Sequence, residues 1–586
     1  VARISTASEC HSLAAYLTTS SRFMKTFIGF DILKPSASEY AALTLMGVAS
    51  AAATALINKY VPLPQLVFIA IWLLVVVLLS LALARSIIDA WTSRNLPAKL
   101  FIAFLIMIVF VAALKPTSTG FVRDDEIYSW GMWGVQHALG QPVDLHYTGA
   151  AYPQLFAYEI GSVFLAQGTH IPHFFAKLIA GLPSLLILIV LGEFIAKSQR
   201  RWANWLSLVL SITAMISIAN LMYWAYADPL ASALLLTSLA LILQYAQRPE
   251  QIRLMVLASS CALVASLTKQ PGLVWCLASL PIVTIYGVLR LGWKKAALVP
   301  CLFAVLLAII WPVFVAPTFT SNHGVLEIAK NNGGLLASLL KSANSYIVKS
   351  PDFGLLLLFP IFVALINKPI RLLWLCFVLP YLVIWFTFGS YEKRHGIHVI
   401  LVSVLLVTHA LTRMYPIANN IVIARQFNSA IWQKWILLAS LCIVVASINL
   451  AYFRHAPPLQ DGNRAIFISQ FGTDAGDIFD EIVVNKYHVF TASNYQYGAL
   501  FNRTPLYRPD SGDVEASAQK LKDYLIPSQS SYTFTSGDWS YGPYSAQIEK
   551  LAQQCPDAFE LIKKSAVKPQ FSIYKIHQNS LASLCR

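Results

Sequence analysis

Charge is what this sequence has least of. Only 12% of its 586 residues are Asp, Glu, Lys or Arg, and the acids number 28. An ordinary soluble domain is roughly a quarter charged. A soluble chain of this length splits into several domains with charged surfaces, and there are too few charges here to cover them. Intrinsic disorder is excluded by the 57% hydrophobic content. Metal-binding cysteine patterns are missing too: no C-x-x-C or His/Cys cluster suggests zinc. The net charge of +15 raises the possibility of nucleic acid. In a chain of mean hydropathy +0.60 it is better explained by loop charges that orient membrane helices. No nucleic-acid partner is expected.

What is present is a series of long apolar runs, each near or above the length needed to span a bilayer. They fall at about 41–58, 65–84, 99–115, 173–196, 203–221, 229–246, 252–268, 271–289, 296–316, 353–367, 370–388, 396–412 and 431–453. The expected fold is therefore a polytopic α-helical membrane protein with about thirteen transmembrane helices. Compact loops with Arg85, Arg94, Lys99, Lys197, Arg200, Arg201, Arg248, Arg253, Arg290, Lys294, Lys295, Lys368, Arg371, Arg413, Arg425 and Lys434 alternate with longer, less basic ones. The positive-inside rule makes the first set cytoplasmic. Residues 1–40 then form a cytoplasmic segment and the C-terminus lies outside. Residues 154–168 are apolar, only about 15 long, and contain Glu159. A crossing there would invert every later loop. The segment is read instead as a helix lying along, or dipping into, the outer interface.

Beyond about residue 455 the chain turns polar. Strand-like runs (482–484, 488–490, 532–534, 571–574) alternate with helix-like stretches (514–525 and 545–564). This predicts a small extracytoplasmic α/β domain over 456–586. It has no G-x-G-x-x-G, P-loop or D-x-D motif, so no nucleotide site is indicated. Cys261, Cys276, Cys301, Cys376 and Cys442 lie within apolar spans and read as small hydrophobes. Cys555 and Cys585 both fall in the external tail and are expected to form a disulfide.

Four polar motifs fall on the expected outer face. The first is Arg123-Asp124-Asp125-Glu126-Ile127-Tyr128, opening an amphipathic helix over 125–139. Ile127, Trp130, Gly131, Gly134 and Ala138 share one face of it, and Trp130 and Trp133 suit a membrane interface. The acids either cap a surface helix or supply a reactive carboxylate. The second is Asp228-Pro229, where Asp suits an N-cap and Pro the first helical position. The third is the turn Thr268-Lys269-Gln270-Pro271-Gly272. Its lysine is either a snorkelling anchor or a contact to an anion. The fourth is Tyr391-Glu392-Lys393-Arg394-His395-Gly396-Ile397-His398. Two cations and two histidines at a helix start suit an anion. The 317–352 loop is long enough for a substrate lid.

In this order the motifs resemble the GT-C superfamily of integral-membrane glycosyltransferases. The nearest branch is bacterial, similar to protein O-mannosyltransferases and lipid A aminoarabinose transferases. Asp125-Glu126 and Tyr128 resemble the family's acidic external loop, here within 116–172. Tyr152-Pro153-Gln154-Leu155 is similar to its proline-leucine segment but has one proline. Asp228-Pro229-Leu230, Lys269-Gln270-Pro271-Gly272 and Arg394-His395 resemble later elements, and the likeness spans roughly 95–410. The acidic loop follows the third span here and the first in the family, a difference that two extra N-terminal spans explain. The resemblance implies transfer of a sugar from a polyprenyl-phosphate donor to an acceptor hydroxyl on a glycan, lipid or protein, at the outer face of a bacterial inner membrane. It assigns Asp125 as base, with Asp124 and Glu126 as alternatives. Lys269, Lys393, Arg394 and His395 would hold the donor phosphate, supported by Tyr128, Asp228 and His398. No cofactor is required, though some GT-C enzymes use a divalent cation. A lipid-linked glycan ligase or polymerase, and a lipid or solute transporter, are the alternative readings.

Overall fold

A computed structural model of the chain describes residues 35–93, 95–114, 130–140, 153–168, 174–197, 201–222, 226–248, 250–269, 272–277, 298–315, 333–348, 368–388, 396–413, 472–485, 489–491, 531–536, 543–564 and 571–584, with a few isolated positions between them. Its helices are α1 (Ala37–Asn58), α2 (Gln65–Thr92), α3 (Leu96–Leu114), α4 (Gly131–Ala138), α5 (Leu155–Gln167), α6 (Phe174–Lys197), α7 (Arg201–Met222), α8 (Ala227–Tyr245), α9 (Ile252–Ser266) and α10 (Leu298–Val315). α11 (Leu335–Ala343) falls in the candidate lid loop. α12 (Lys368–Leu373) passes through a π-helical turn, Trp374–Val378, into α13 (Leu379–Phe388), and α14 is Ile397–Arg413. Four of the described helices, α1, α2, α6 and α8, are long and apolar enough to cross a membrane, and shorter apolar helices accompany them. This is a helical, membrane-embedded protein.

Where they are described, the helices follow the sequence spans, because continuous apolar runs leave the backbone no polar partner but itself; the spans expected at 271–289, 353–367 and 431–453 lie largely or wholly outside the described residues. α8 is buried along nearly its whole length and packs on α9, α6 and α14. α1 begins with a complete capping box: Ser36 Oγ accepts from Glu39 N, and Glu39 reaches back to Ser36 N. α2 extends past the expected span to Thr92, because Arg85 and Asp89 pair across one turn at 2.8 Å.

The polar contacts sort the helix ends into two groups. At one end, Glu193 of α6 accepts from Ser38 N and Oγ, from Lys197 Nζ and from Gln244 Nε2. Arg253 pairs with Glu39 at 2.9 Å, and Asn95 Nδ2 donates to Ile195 O. These residues lie at the starts of α1, α3 and α9 and the ends of α6 and α8. The opposite end gathers the end of α1, the start of α2 and the end of α9 around α5. Leu155 N donates to Leu267 O, and Gln65 Nε2 donates to Ala166 O. Both ends of α5 are thus fastened to one end of the bundle, so α5 lies across it rather than through it.

The sequence reading differs from the structure in how wet this region is. Residues 155–164 are buried inside the protein, where α4 packs over α5. Trp130 and Trp133, expected at an interface, are also buried. They stack edge to face on each other at 5.3 Å, and Trp130 does so on Phe156 at 5.6 Å. A Cβ on Gly134 would come within 2.4 Å of Ile160, so only glycine permits this contact. His137 lies flat on Tyr158, ring centroids 3.7 Å apart.

The C-terminal stretch contains a mixed four-stranded sheet in the order β1-β2-β4-β3. β1 (Val489–Thr491) runs parallel to β2 (Tyr532–Ser536). β4 (Phe571–Ile576) is antiparallel to both β2 and β3 (Phe559–Lys564). Helices α15 (Gly476–Asn485), α16 (Pro543–Gln554) and α17 (Gln578–Leu584) accompany it. Two local readings change. Residues 482–484 are helical, because Phe479 and Ile482 form one buried face of α15. The helix expected over 545–564 stops at Gln554, and Phe559–Lys564 pairs with β4 instead. Cys555 is disulfide-bonded; its expected partner Cys585 lies outside the described residues. Cys261 and Cys276 are buried and form no disulfide.

Glu159, inside α5, is fully buried and neither carboxyl oxygen makes a hydrogen bond. Such a group is costly. Replacing it with Met, similar in length, is expected to raise stability by about 1–3 kcal/mol, read as a higher unfolding midpoint of the detergent-solubilised chain. A lower midpoint would show that the carboxyl contributes to folding.

Candidate functional site

The residues of three sequence-distant motifs meet at the bundle end crossed by α5. Asp228 enters in the first turn of α8, where the helix dipole favours a carboxylate. It is not the N-cap: that position is Tyr226, in extended conformation and without a side-chain cap bond. The Asp228 side chain is turned to Lys269 instead. Lys269 Nζ donates to both carboxylate oxygens, at 2.6 and 2.7 Å. Both residues are buried, 1% and 4% exposed. The capping reading of Asp228 and the snorkelling reading of Lys269 therefore both give way to a buried ion pair.

Local structure aims Lys269 inward. α9 ends in a turn in which Lys269 N donates to Ala265 O and Gly272 N donates to Lys269 O. The chain folds back so tightly that a Cβ on Gly272 would lie 1.9 Å from Ala265 O. Any side chain there would push the turn, and Lys269 with it, out of place.

His398 is the second residue of α14 and is buried at 3% exposure. Its Nδ1 lies 2.7 Å from Ser232 Oγ, while Nε2 stands 3.8 Å from Asp228 Oδ1 and makes no hydrogen bond. Ser232 was not singled out from the sequence. The available signal was its position one helical turn after Asp228, on the same face. Tyr381 meets the His398 ring edge to face at 5.8 Å.

A narrow apolar crevice opens beside this cluster, lined by Leu235, Trp275, Phe377, Tyr381, His398 and Val402 among others. Trp275 follows the Lys269 turn and packs on Phe377 at 4.5 Å. Phe377 belongs to the π-helical turn Trp374–Val378, a type of irregularity that often marks functional positions. The arrangement is a compensated charge pair next to His398, which itself lines an apolar slot. In such a low-dielectric place an anion interacts strongly with the cation once it displaces the carboxylate.

Asp124, Asp125, Glu126, Tyr128, Lys393, Arg394 and His395 lie outside the described residues, as do Tyr152, Gln270 and Pro271. Their covalent neighbours are described: Trp130 opens the helix turn that packs on α5, and Ile397 opens α14. Among the described residues no group of three or more His, Cys, Asp or Glu side chains converges, so a divalent cation has no described ligand set. No protein-family model, curated protein or solved structure matches the chain.

Removing Lys269 would leave the buried Asp228 carboxylate without this counter-charge. Lys269→Met alone is expected to cost about 3–5 kcal/mol. The double substitution Lys269→Met/Asp228→Leu should recover most of it. Thermal unfolding of the solubilised variants reads the difference. A double variant as unstable as the single one would show that the pair's charge is not what holds this end together.

Proposed function

We propose that the chain is an integral-membrane glycosyltransferase of GT-C type, working at the outer face of a bacterial inner membrane. It moves a sugar from a polyprenyl-phosphate donor to an acceptor hydroxyl. The observation that carries the reading is the meeting of Asp228, Lys269 and His398 beside an apolar crevice. Asp228 and Lys269 come from different motifs of the resemblance, His398 comes from the polar run that contains its Arg394-His395 element, and nothing in sequence spacing requires them to touch. The acidic motif and the rest of that polar run attach near the same place. The acidic run ends four residues before Trp130, whose ring packs on Phe156 at the start of α5. Lys393, Arg394 and His395 immediately precede the α14 start that carries His398. Orientation is supported by Arg85, Lys197 and Arg253, which gather at the opposite end of the bundle.

The proposed chemistry follows from charge. The acceptor hydroxyl attacks the anomeric carbon while a carboxylate, Asp125 with Asp124 and Glu126 as alternatives, takes its proton. The bond from sugar to phosphate oxygen breaks, leaving a polyprenyl phosphate. That leaving group is already anionic and needs cations rather than an acid. Lys269, Lys393, Arg394 and His395 supply them. Attack opposite the leaving phosphate gives inversion. The sheet-containing C-terminal stretch is then an extracytoplasmic domain.

Asp125→Asn, assayed in membranes supplied with radiolabelled polyprenyl-phosphate sugars, is expected to lose about 100-fold or more of transfer at normal expression. Full activity in that variant removes Asp125 from the mechanism. A cysteine-accessibility scan that reports position 125 or 394 as cytoplasmic would overturn the outer-face assignment.

A further inference from the structure

We propose that Ser232 and His398 are positioning residues that receive Asp228 when an anionic headgroup takes Lys269. The proposal rests on the phosphate-site reading above and gives that site an exchange step. In the structure Lys269 is engaged by both oxygens of Asp228. An anion that engages Lys269 must compete with that carboxylate. A displaced carboxylate left in this buried place without a new donor would oppose anion binding.

The geometry supplies the donor. His398 Nε2 makes no hydrogen bond and stands 3.8 Å from Asp228 Oδ1. Closing that gap to an ordinary hydrogen bond takes a shift of about 1 Å, within reach of a carboxylate rotation. The Asp228 carboxylate facing Nε2 favours the tautomer with the ring proton on Nε2. The Ser232 hydroxyl, 2.7 Å from His398 Nδ1, can donate as well as accept, so it matches that tautomer by donating to Nδ1. Tyr381, edge-on to the imidazole, holds the ring plane. Asp228 and Ser232 are one turn apart on α8, so a single helix turn carries both the group that moves and the group that orients its receiver.

The step involves no covalent change. Before it, the Asp228 carboxylate accepts from Lys269. After it, the carboxylate accepts from His398 Nε2–H, and Lys269 donates to the incoming anion. The two states differ by an exchange of hydrogen-bond partners: Lys269 keeps an anionic partner throughout, and Asp228 trades a cationic donor for a neutral one.

The test is binding of farnesyl phosphate to the purified full-length chain in detergent, by calorimetry. Ser232→Ala and His398→Ala are each expected to weaken binding about tenfold or more, the loss of a hydrogen bond to a charged group. Ser232→Thr and His398→Gln, which keep a hydroxyl and an Nε-type donor, should restore most of it. In an Asp228→Asn background, where no carboxylate has to be received, the two alanine substitutions should have little further effect. A merely structural role would weaken binding equally in both backgrounds, and that result overturns the exchange while leaving the phosphate site standing. A folded wild-type chain that fails to bind farnesyl phosphate overturns the phosphate site and the exchange together.

Discussion

The constraint behind most of this molecule is the cost of a charge in a low-dielectric interior. An ion taken out of water survives only with a partner of opposite sign or with several hydrogen bonds. The helical core therefore has long stretches without charge, and the ionisable groups are pushed to the helix ends. Glu193 shows the rule at one end: it is fully buried and accepts from Ser38, Lys197 and Gln244 at once. Asp228 and Lys269 show it at the other. Glu159 is the exception, a buried carboxyl of α5 without a hydrogen bond.

That sorting turns a fold into a site. Helices that alternate in direction bring every second connection to the same end, so α8, α9 and α14 deliver Asp228, Lys269 and His398 to one neighbourhood. Two close approaches set the details. Gly134 lets α4 sit directly on Ile160, which ties the segment after the acidic run to α5. Gly272 lets the chain reverse against Ala265, which fixes the turn behind Lys269. In both places the absence of a side chain, rather than the presence of one, allows the close approach, and at Gly272 it positions Lys269.

Much of the architecture was legible in the sequence, and the parts that were not have a common cause. Span positions such as 227–245 and 252–266 follow from run length, a local property. The non-crossing of α5 could be argued from charge alternation before any coordinates. Partners could not. Asp228 suited a cap and Lys269 suited an anchor, each by a local rule, and only tertiary packing shows that each answers the other. Trp130 and Trp133 show the same limit: their amphipathic preference suits an interface, but packing against each other and against Phe156 of α5 buries them. In the C-terminal stretch, Ile482-Val483-Val484 has strand propensity, yet the buried face of α15 claims it. Ser232 carried only the signal of standing one turn after Asp228, and its partner His398 could not be read from spacing.

The pairing of Lys269 bears directly on the proposed chemistry. A lone lysine at the rim of an apolar crevice would carry the full cost of burial whenever the site was empty. It would also attract any small anion. A lysine held by Asp228 avoids both problems, because an entering anion must replace a good partner and must therefore bring binding energy from elsewhere. A lipid phosphate can do so through its apolar chain, which gains from burial against apolar surface. Inorganic phosphate has no such chain. The compensated pair would then act as a filter that favours anions attached to an apolar body. Selectivity for the lipid-linked donor over free phosphate would arise from the cost of separating Asp228 from Lys269, and not from contacts to the phosphate alone.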